Sequence, residues 1–221
     1  MQRFKDRREA GKLLAKALYP YQGREDLLVL ALPRGGVPVA FEVAGALGAP
    51  LELLLVRKLG VPGHEELAMG AIASGGVQVI NQEVIAALGI RSETVEAIAA
   101  REALELARRE RLYRGLRPML PVAGQVAIVI DDGIATGATM RAAVQALRQL
   151  GAARVIVAAP TSARDSAEML RHEADEVVCL ATPEPYHAVG LWYEQFEQIS
   201  DHEVRRLLEL AVRPSRKSHE A

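Results

Sequence analysis

Residues 126–140 read Val-Ala-Ile-Val-Ile-Asp-Asp-Gly-Ile-Ala-Thr-Gly-Ala-Thr-Met, and this stretch decides the fold. An apolar run typical of a buried strand ends at two adjacent acids, and a turn of small residues then leads into an amphipathic helix, Met140 to Leu150. The backbone N–H groups of Ala135–Thr139 are predicted to face the turn at the positive end of that helix, where a phosphate monoester is favoured. Asp131 and Asp132, at the carboxyl end of the strand, can accept hydrogen bonds from a cis-diol. The stretch therefore predicts a ligand that carries both a phosphate and sugar hydroxyls.

This run resembles the signature of the type I phosphoribosyltransferases, whose ligand is 5-phosphoribosyl-1-pyrophosphate (PRPP). The resemblance implies that Asp131 and Asp132 hold the ribose 2′ and 3′ hydroxyls. It also implies that five consecutive residues wrap the 5′-phosphate: Ala135, Thr136, Gly137, Ala138 and Thr139. Nucleotide-binding loops of the Gly-Lys-Thr and Gly-x-Gly-x-x-Gly types fit poorly, because neither pattern is present in the required context. The alternative is an ordinary strand–turn–helix with a capping threonine, but such a unit has no structural need for adjacent acids.

Length and composition set the broad class. The chain has 221 residues, half of them apolar, and a net charge of −1, which predicts one domain with a sufficient core and no nucleic acid or membrane partner. The single cysteine, Cys179, lies in an apolar run, so we interpret it as a small core residue. The charged N-terminus lacks an apolar signal region and no run approaches about 18 apolar residues, so we expect a cytoplasmic protein.

Strands alternate with helices along the chain, which predicts an α/β fold with a doubly wound, Rossmann-like parallel β-sheet. Ligands on such sheets bind beyond the carboxyl ends of the strands. The predicted helices cover residues 6–18, 38–47, 83–88, 93–114, 140–150, 164–172 and 201–212, the last of them capped by Asp201. The predicted strands cover residues 27–32, 51–56, 68–73, 77–80, 126–130, 154–159 and 176–180, with the third and fourth forming a hairpin.

We predict a single domain over residues 1–212, followed by a polar tail over residues 213–221. Within the domain, the resemblance to the family divides the chain into a core of about residues 25–181 and a small C-terminal hood of about residues 182–200. The glycine- and proline-bearing segment 59–68 reads as a flexible loop and matches the family's mobile lid in position.

Leu32-Pro33-Arg34-Gly35-Gly36 resembles the pyrophosphate loop of the family. Arg34 supplies a forked cation for phosphate oxygens, and Gly35 and Gly36 free the backbone to turn N–H groups toward an anion. In the family this loop often contains a non-proline cis peptide, which we expect beside Arg34. Arg57 and Lys58 close the next predicted strand, and two cations there suit a pyrophosphate leaving group. The alternatives are a surface turn for the first segment and a solvated strand end for the second.

The resemblance further implies Mg²⁺ as the cofactor, bridging the pyrophosphate and the ribose hydroxyls, with Asp131 or Asp132 touching it through water. Stabilisation of the leaving pyrophosphate would be mainly electrostatic, while the lid excludes water from the reacting carbon. Glu65 or Glu66 in the lid could handle the incoming base or its proton. We place Arg34, Lys58 and Glu66 among the catalytic residues. The five histidines have no metal-site spacing, which argues against zinc.

Five residues with aromatic rings, His187 included, fall between residues 186 and 196, in a segment similar to the base-covering hood of purine phosphoribosyltransferases. By that similarity Tyr186 or His187 would lie against a flat acceptor and the Val189 backbone would read its edge. Trp192 and Phe196 are better interpreted as packing the hood onto the body.

One departure from the family's pattern is informative. The 6-oxopurine enzymes place a carboxylate in the phosphate loop, and Ala135 occupies that position here. This speaks against a hypoxanthine–guanine enzyme. The first part of the chain also lacks a long N-terminal hood, which disfavours an orotate or adenine enzyme.

The sequence therefore predicts a Mg²⁺-dependent phosphoribosyltransferase that transfers the phosphoribosyl group to a small-molecule acceptor, with a nucleobase favoured, and releases pyrophosphate. A homodimer is the usual assembly in the family. The alternatives are a non-catalytic PRPP-binding regulatory module, and a phosphatase on a similar sheet. The latter would need a nucleophile, and none stands at the signature loop.

Overall fold

The computed structural model describes residues 3–212, except for the side chains of Glu66 and Val212, so the predicted tail lies outside the described residues. Within that range helices and strands alternate, which confirms the α/β prediction. The helices are α1 (Arg7–Ala17), α2 (Gly36–Leu47), α3 (Gln82–Leu88), α4 (Ser92–Arg114), α5 (Ala138–Gln149), α6 (Arg164–Arg171) and α7 (Asp201–Val212). The strands are β1 (Leu27–Ala31), β2 (Leu51–Leu53), β3 (Val56–Val61), β4 (His64–Ala73), β5 (Val77–Ile80), β6 (Val126–Ile130), β7 (Arg154–Thr161) and β8 (Glu176–Ala181).

The central sheet has five parallel strands in the order β2-β1-β6-β7-β8. Alternate residues of β1 enter two separate cores, because successive side chains of a strand point to opposite faces. Val29 packs in the core that also holds residues of α1, α2, α4 and α7. Leu30 packs in the core that also holds residues of α5 and α6. Helices therefore cover both faces, which explains why the central strands are continuously apolar.

A second, three-stranded sheet has the order β3-β4-β5 and is antiparallel. The prediction of one strand over residues 51–56 is wrong, because the chain changes sheets within that apolar run. The N–H of Leu54 donates to the Ala31 carbonyl of the central sheet, at 3.0 Å. The N–H of Leu55 donates to Ser74 Oγ beyond β4, at 3.1 Å. Arg57 and Lys58 consequently lie inside β3 rather than at the end of a strand.

The segment predicted as a flexible loop, residues 59–68, forms most of a β-hairpin. Strand β3 continues to Val61 and β4 begins at His64, with Gly63 at a positive φ of 74° in the turn. Leu59 is fully buried, so one face of the hairpin belongs to the core. The lid position is therefore occupied by paired strands.

Two helices begin two residues earlier than predicted, and the cap of a third differs. Helix α2 begins at Gly36 instead of Pro38, and α5 begins at Ala138 instead of Met140. Asp201 is not the cap of α7: Ser200 Oγ accepts a hydrogen bond from the N–H of Glu203 at 3.1 Å. Among the described helices, none is both long and apolar enough to cross a membrane.

Candidate active site

The turn between β6 and α5 lies at the carboxyl edge of the central sheet, as predicted. Gly137 has a positive φ of 75° and directly precedes α5. A Cβ there would lie 2.8 Å from Met169 Cε, the movable end of a flexible side chain, so it is the positive φ that favours glycine. Ser166 Oγ donates to the Ala135 carbonyl at 2.6 Å and fixes the start of the turn. The exposed N-terminus of α5 leaves backbone donors for an anion.

The two acids after β6 lie against this turn. The N–H of Asp132 donates to Asp131 Oδ1 at 2.8 Å, and Asp132 Oδ2 accepts from Arg7 Nε at 2.8 Å. Burial and the neighbouring Asp132 raise the pKa of Asp131 well above its ordinary value. One oxygen of each carboxylate accepts in these contacts, namely Asp131 Oδ1 and Asp132 Oδ2. The second oxygen of each can accept a hydrogen bond from a hydroxyl.

The Arg34 loop reaches the same place from β1. The expected non-proline cis peptide is present, between Pro33 and Arg34. A Cβ on Gly36 would lie 2.6 Å from the Ile130 carbonyl oxygen and 2.9 Å from Asp131 Cα, so the two loops are in direct backbone contact. Arg34 is partly exposed, and its Nη1 lies 3.7 Å from Asp201 Oδ1. The structure therefore brings the predicted pyrophosphate loop beside the predicted ribose acids.

Gly35→Ala is expected to lower the free energy of unfolding by about 1–3 kcal/mol, the range for overpacking. The new Cβ would fall 2.0 Å from Asp132 Oδ2, and that carboxylate is also held by Arg7. Gly45→Ala, at an exposed position in the last turn of α2, has nothing within 4 Å of its Cβ and should instead stabilise by about 0.5–1 kcal/mol. Urea unfolding of both variants checks this, and equal stabilities would contradict the close packing.

The hairpin cations have different surroundings. Arg57 is paired with Glu102 of α4, with Nε 2.9 Å from Oε2, so its guanidinium is engaged away from the phosphate turn. Lys58 is exposed and, with Thr139 of α5, lines a cavity of about 560 Å³ between the second sheet and α5. Of the predicted pair, Lys58 is thus the one whose surroundings include the phosphate turn. Glu66 lies in β4, and its side chain is outside the described part of the chain.

The hood packs onto the phosphate turn through Val189, whose Cγ1 would be 2.4 Å from a Cβ on Gly133. Tyr186 is stacked on Trp192 with ring centroids 6.1 Å apart, and Phe196 lies 5.0 Å from the ring of Tyr193. Trp192 and Phe196 also pack against the buried cluster of Phe4, Ala10 and Tyr193, so they join the hood to the body, as predicted. His187 is exposed. Burial raises the pKa of Tyr186 to about 12, so its hydroxyl is neutral at physiological pH.

Three buried polar atoms near the hood have no hydrogen-bond partner among the described residues. They are Thr161 Oγ1, Tyr186 Oη and Trp192 Nε1. Thr161 ends β7, and its Cγ2 would lie 3.2 Å from a Cβ on Gly133, directly beside the acids. Although burial has the larger effect on the pKa of the Tyr186 hydroxyl, the Thr161 hydroxyl lies close enough to lower it, so the wall between hood and sheet carries polar atoms beside the acids.

Sequence reasoning missed Arg7, which is 8% exposed and reaches the acids from α1. One signal was present. Arg7 stands in the first turn of α1, where a cation interacts unfavourably with the helix dipole. A cation at such a position indicates a partner outside the helix. Tyr193 was missed as well; its hydroxyl donates to the Asp132 carbonyl oxygen.

A parallel central sheet covered by helices on both faces, with a strand–turn–helix and paired acids at its carboxyl edge, defines an α/β protein. A profile of the phosphoribosyl transferase domain matches residues 4–194, and the chain belongs to that family. The chain is 47% identical over 213 residues to a protein of Mycobacterium tuberculosis named "Putative phosphoribosyl transferase", which covers 96% of this chain. The match takes in 48% of that relative, so the chain spans about half its length.

The fold has a solved counterpart in the crystal structure of the protein TT1426 from Thermus thermophilus. The two are 43% identical and superpose with a TM-score of 0.85, covering 94% of this chain and 98% of the Thermus protein. At this identity and coverage the hairpin, sheet and hood described above belong to a shared architecture.

Proposed function

We propose that this protein binds PRPP together with Mg²⁺ and transfers the 5-phosphoribosyl group to a small acceptor, with a nucleobase favoured, releasing pyrophosphate. The observation that carries the proposal is the direct contact between the two loops. A Cβ on Gly35 would fall within 2.0 Å of the Asp132 carboxylate, so the proposed pyrophosphate and ribose subsites share a wall. PRPP needs these two subsites side by side, because its pyrophosphate is attached to the ribose.

In this proposal the N-terminus of α5 and residues 135–139 hold the 5′-phosphate, and the second oxygens of Asp131 and Asp132 accept from the ribose diol. Arg34, Lys58 and the backbone of Gly35 and Gly36 stabilise the pyrophosphate. The bond from the ribose C1 to the pyrophosphate oxygen breaks, a bond from an acceptor nitrogen to C1 forms, and the acceptor loses a proton.

Mg²⁺ fits these residues, since paired carboxylates and phosphate oxygens are the hard oxygen donors that it prefers. When bound it neutralises charge on the leaving pyrophosphate. In the proposal Asp131 or Asp132 would reach the ion through water. Arg57 has no direct part in this proposal, because Glu102 holds it.

The acceptor is proposed to lie between the hood and the sheet, beside Tyr186, His187 and the backbone of Val189. Tyr186 and Thr161 bring unpartnered hydroxyls to that wall. Glu66 stays a candidate for the acceptor's proton. The core and hood are proposed to act as one domain.

Pyrophosphate release tests the proposal. The protein is incubated with PRPP and Mg²⁺, a panel of neutral and anionic heterocyclic bases is added one at a time, and pyrophosphate is measured. Turnover with at least one base is expected, and chelation of Mg²⁺ should abolish it. PRPP binding without turnover on any base would favour a regulatory module, and absence of both would sink the proposal.

A further inference from the structure

Arg7 stands at the junction of three parts of the molecule. It is the first residue of α1, it is 8% exposed, and its Nε donates to Asp132 Oδ2 at 2.8 Å across 125 positions of sequence. A buried guanidinium is costly unless it is paired and hydrogen-bonded. The pairing with Asp132 is therefore a specific contact rather than a surface ion pair.

The same guanidinium also holds the hood. Its Nη1 donates to the Glu197 carbonyl at 2.8 Å, and its Cζ lies 3.8 Å from the ring centroid of Phe196. The ring centroid of Tyr193 lies 5.9 Å from Arg7 Cζ. The Tyr193 hydroxyl donates to the Asp132 carbonyl oxygen, so the hood also contacts the backbone of Asp132. One cation thus touches the side chain of a proposed ribose ligand and the backbone and aromatic ring of the hood.

Asp132 is restrained from both sides by these contacts. Arg7 occupies Oδ2, and Gly35 of the Arg34 loop packs directly against the carboxylate. Because Asp132 Oδ2 accepts from Arg7, Asp132 Oδ1 is the oxygen that can accept from a ribose hydroxyl. A carboxylate held in one rotamer loses little conformational entropy when the ligand binds.

We propose that Arg7 is a positioning residue that couples the ribose site to the hood. It orients Asp132 for the diol and, through the Glu197 carbonyl and Phe196, fixes the hood on the acceptor side. The role rests on the proposed function, because it concerns how PRPP and the acceptor are held. Arg7 itself touches neither.

The test compares Arg7→Met and Arg7→Lys with Arg8→Met, an exposed arginine one position along the same helix. Calorimetric titration gives the affinity for PRPP with Mg²⁺, and fluorescence of Trp192, the single tryptophan, reports on the hood. We expect Arg7→Met to weaken PRPP binding about tenfold or more, as for a lost charge-assisted hydrogen bond. Arg7→Lys should lose less, Arg8→Met should match the wild type, and PRPP should alter Trp192 fluorescence in the wild type but not in Arg7→Met.

A double-mutant cycle separates positioning from general stability. In an Asp132→Ala background, which removes the side-chain oxygen that Arg7 holds, Arg7→Met should weaken PRPP binding by less than about twofold, because its effect passes through Asp132. The proposal would be overturned if the two substitutions weakened PRPP binding independently, so that their fold-changes in affinity multiply. Wild-type PRPP affinity in both folded Arg7 variants would also overturn it. If Arg7→Met does not fold, Arg7→Lys decides: wild-type affinity and an unaltered Trp192 response would reject the role. A wild-type protein that fails to bind PRPP would instead sink the proposed function, and this role with it.

Discussion

Asparagine at both acids, Asp131→Asn with Asp132→Asn, is expected to weaken PRPP binding by at least about 100-fold. Each acid is proposed to accept a hydrogen bond from one ribose hydroxyl, and a hydrogen bond to a charged group contributes about 1.5–3 kcal/mol. Since about 1.4 kcal/mol corresponds to a factor of ten, losing two such bonds accounts for the size of the effect. Calorimetric titration with PRPP and Mg²⁺ measures it.

The matched control for the acids is Asp165→Asn, an exposed aspartate in the first turn of α6. It should bind PRPP as the wild type does. The asparagine at position 132 keeps an oxygen that can accept from Arg7 Nε, so the double variant is expected to stay folded, which circular dichroism checks. Unchanged PRPP affinity in a folded double variant would remove the ribose assignment.

Arg114→Met is expected to lower the free energy of unfolding by about 3–5 kcal/mol, the largest stability effect of a single substitution that we anticipate. Arg114, at the end of α4, donates to Glu52 Oε1 at 2.8 Å, to Glu110 Oε1 at 2.8 Å and to the Leu53 carbonyl. Glu52 is 7% exposed, so removing the arginine leaves a buried carboxylate without its cation. Urea unfolding measures the loss.

Arg111→Met, an exposed arginine one turn earlier in α4, should change stability by no more than about 0.5 kcal/mol. Glu52→Leu combined with Arg114→Met should recover part of the loss, because replacing both members of a buried pair avoids the unpaired charge. A decrease of less than about 1 kcal/mol in Arg114→Met would contradict the role assigned to this pair.

Local patterns in the sequence predicted much of the fold and the site's location. The run at residues 126–140 specifies strand, acids, turn and helix within 15 consecutive positions, so nothing distant is needed to interpret it. The same holds for the Arg34 loop, where the glycines directly follow the strand. Helix α4 was predicted to within one residue, because its acidic first turn, basic last turn and Glu–Arg pairs four residues apart are all local signals.

The features that the sequence did not predict depend on residues that are distant along the chain. The break between β2 and β3 falls in an unbroken apolar run, since both sheets bury their side chains and hydropathy does not change where the chain leaves one for the other. Arg57 stays a predicted pyrophosphate ligand, but its ion pair with Glu102, 45 positions away, was not predicted. Arg7 meets Asp132 across 125 positions. No spacing rule connects residues that far apart.

The most direct test of the central claim is a titration of the wild-type protein with PRPP in the presence of Mg²⁺. We expect saturable binding at one site per chain, displaced by ribose 5-phosphate, because the phosphate turn and the acids together are proposed to recognise that half of the ligand. Absence of binding, or binding that ribose 5-phosphate leaves undisturbed, would contradict it.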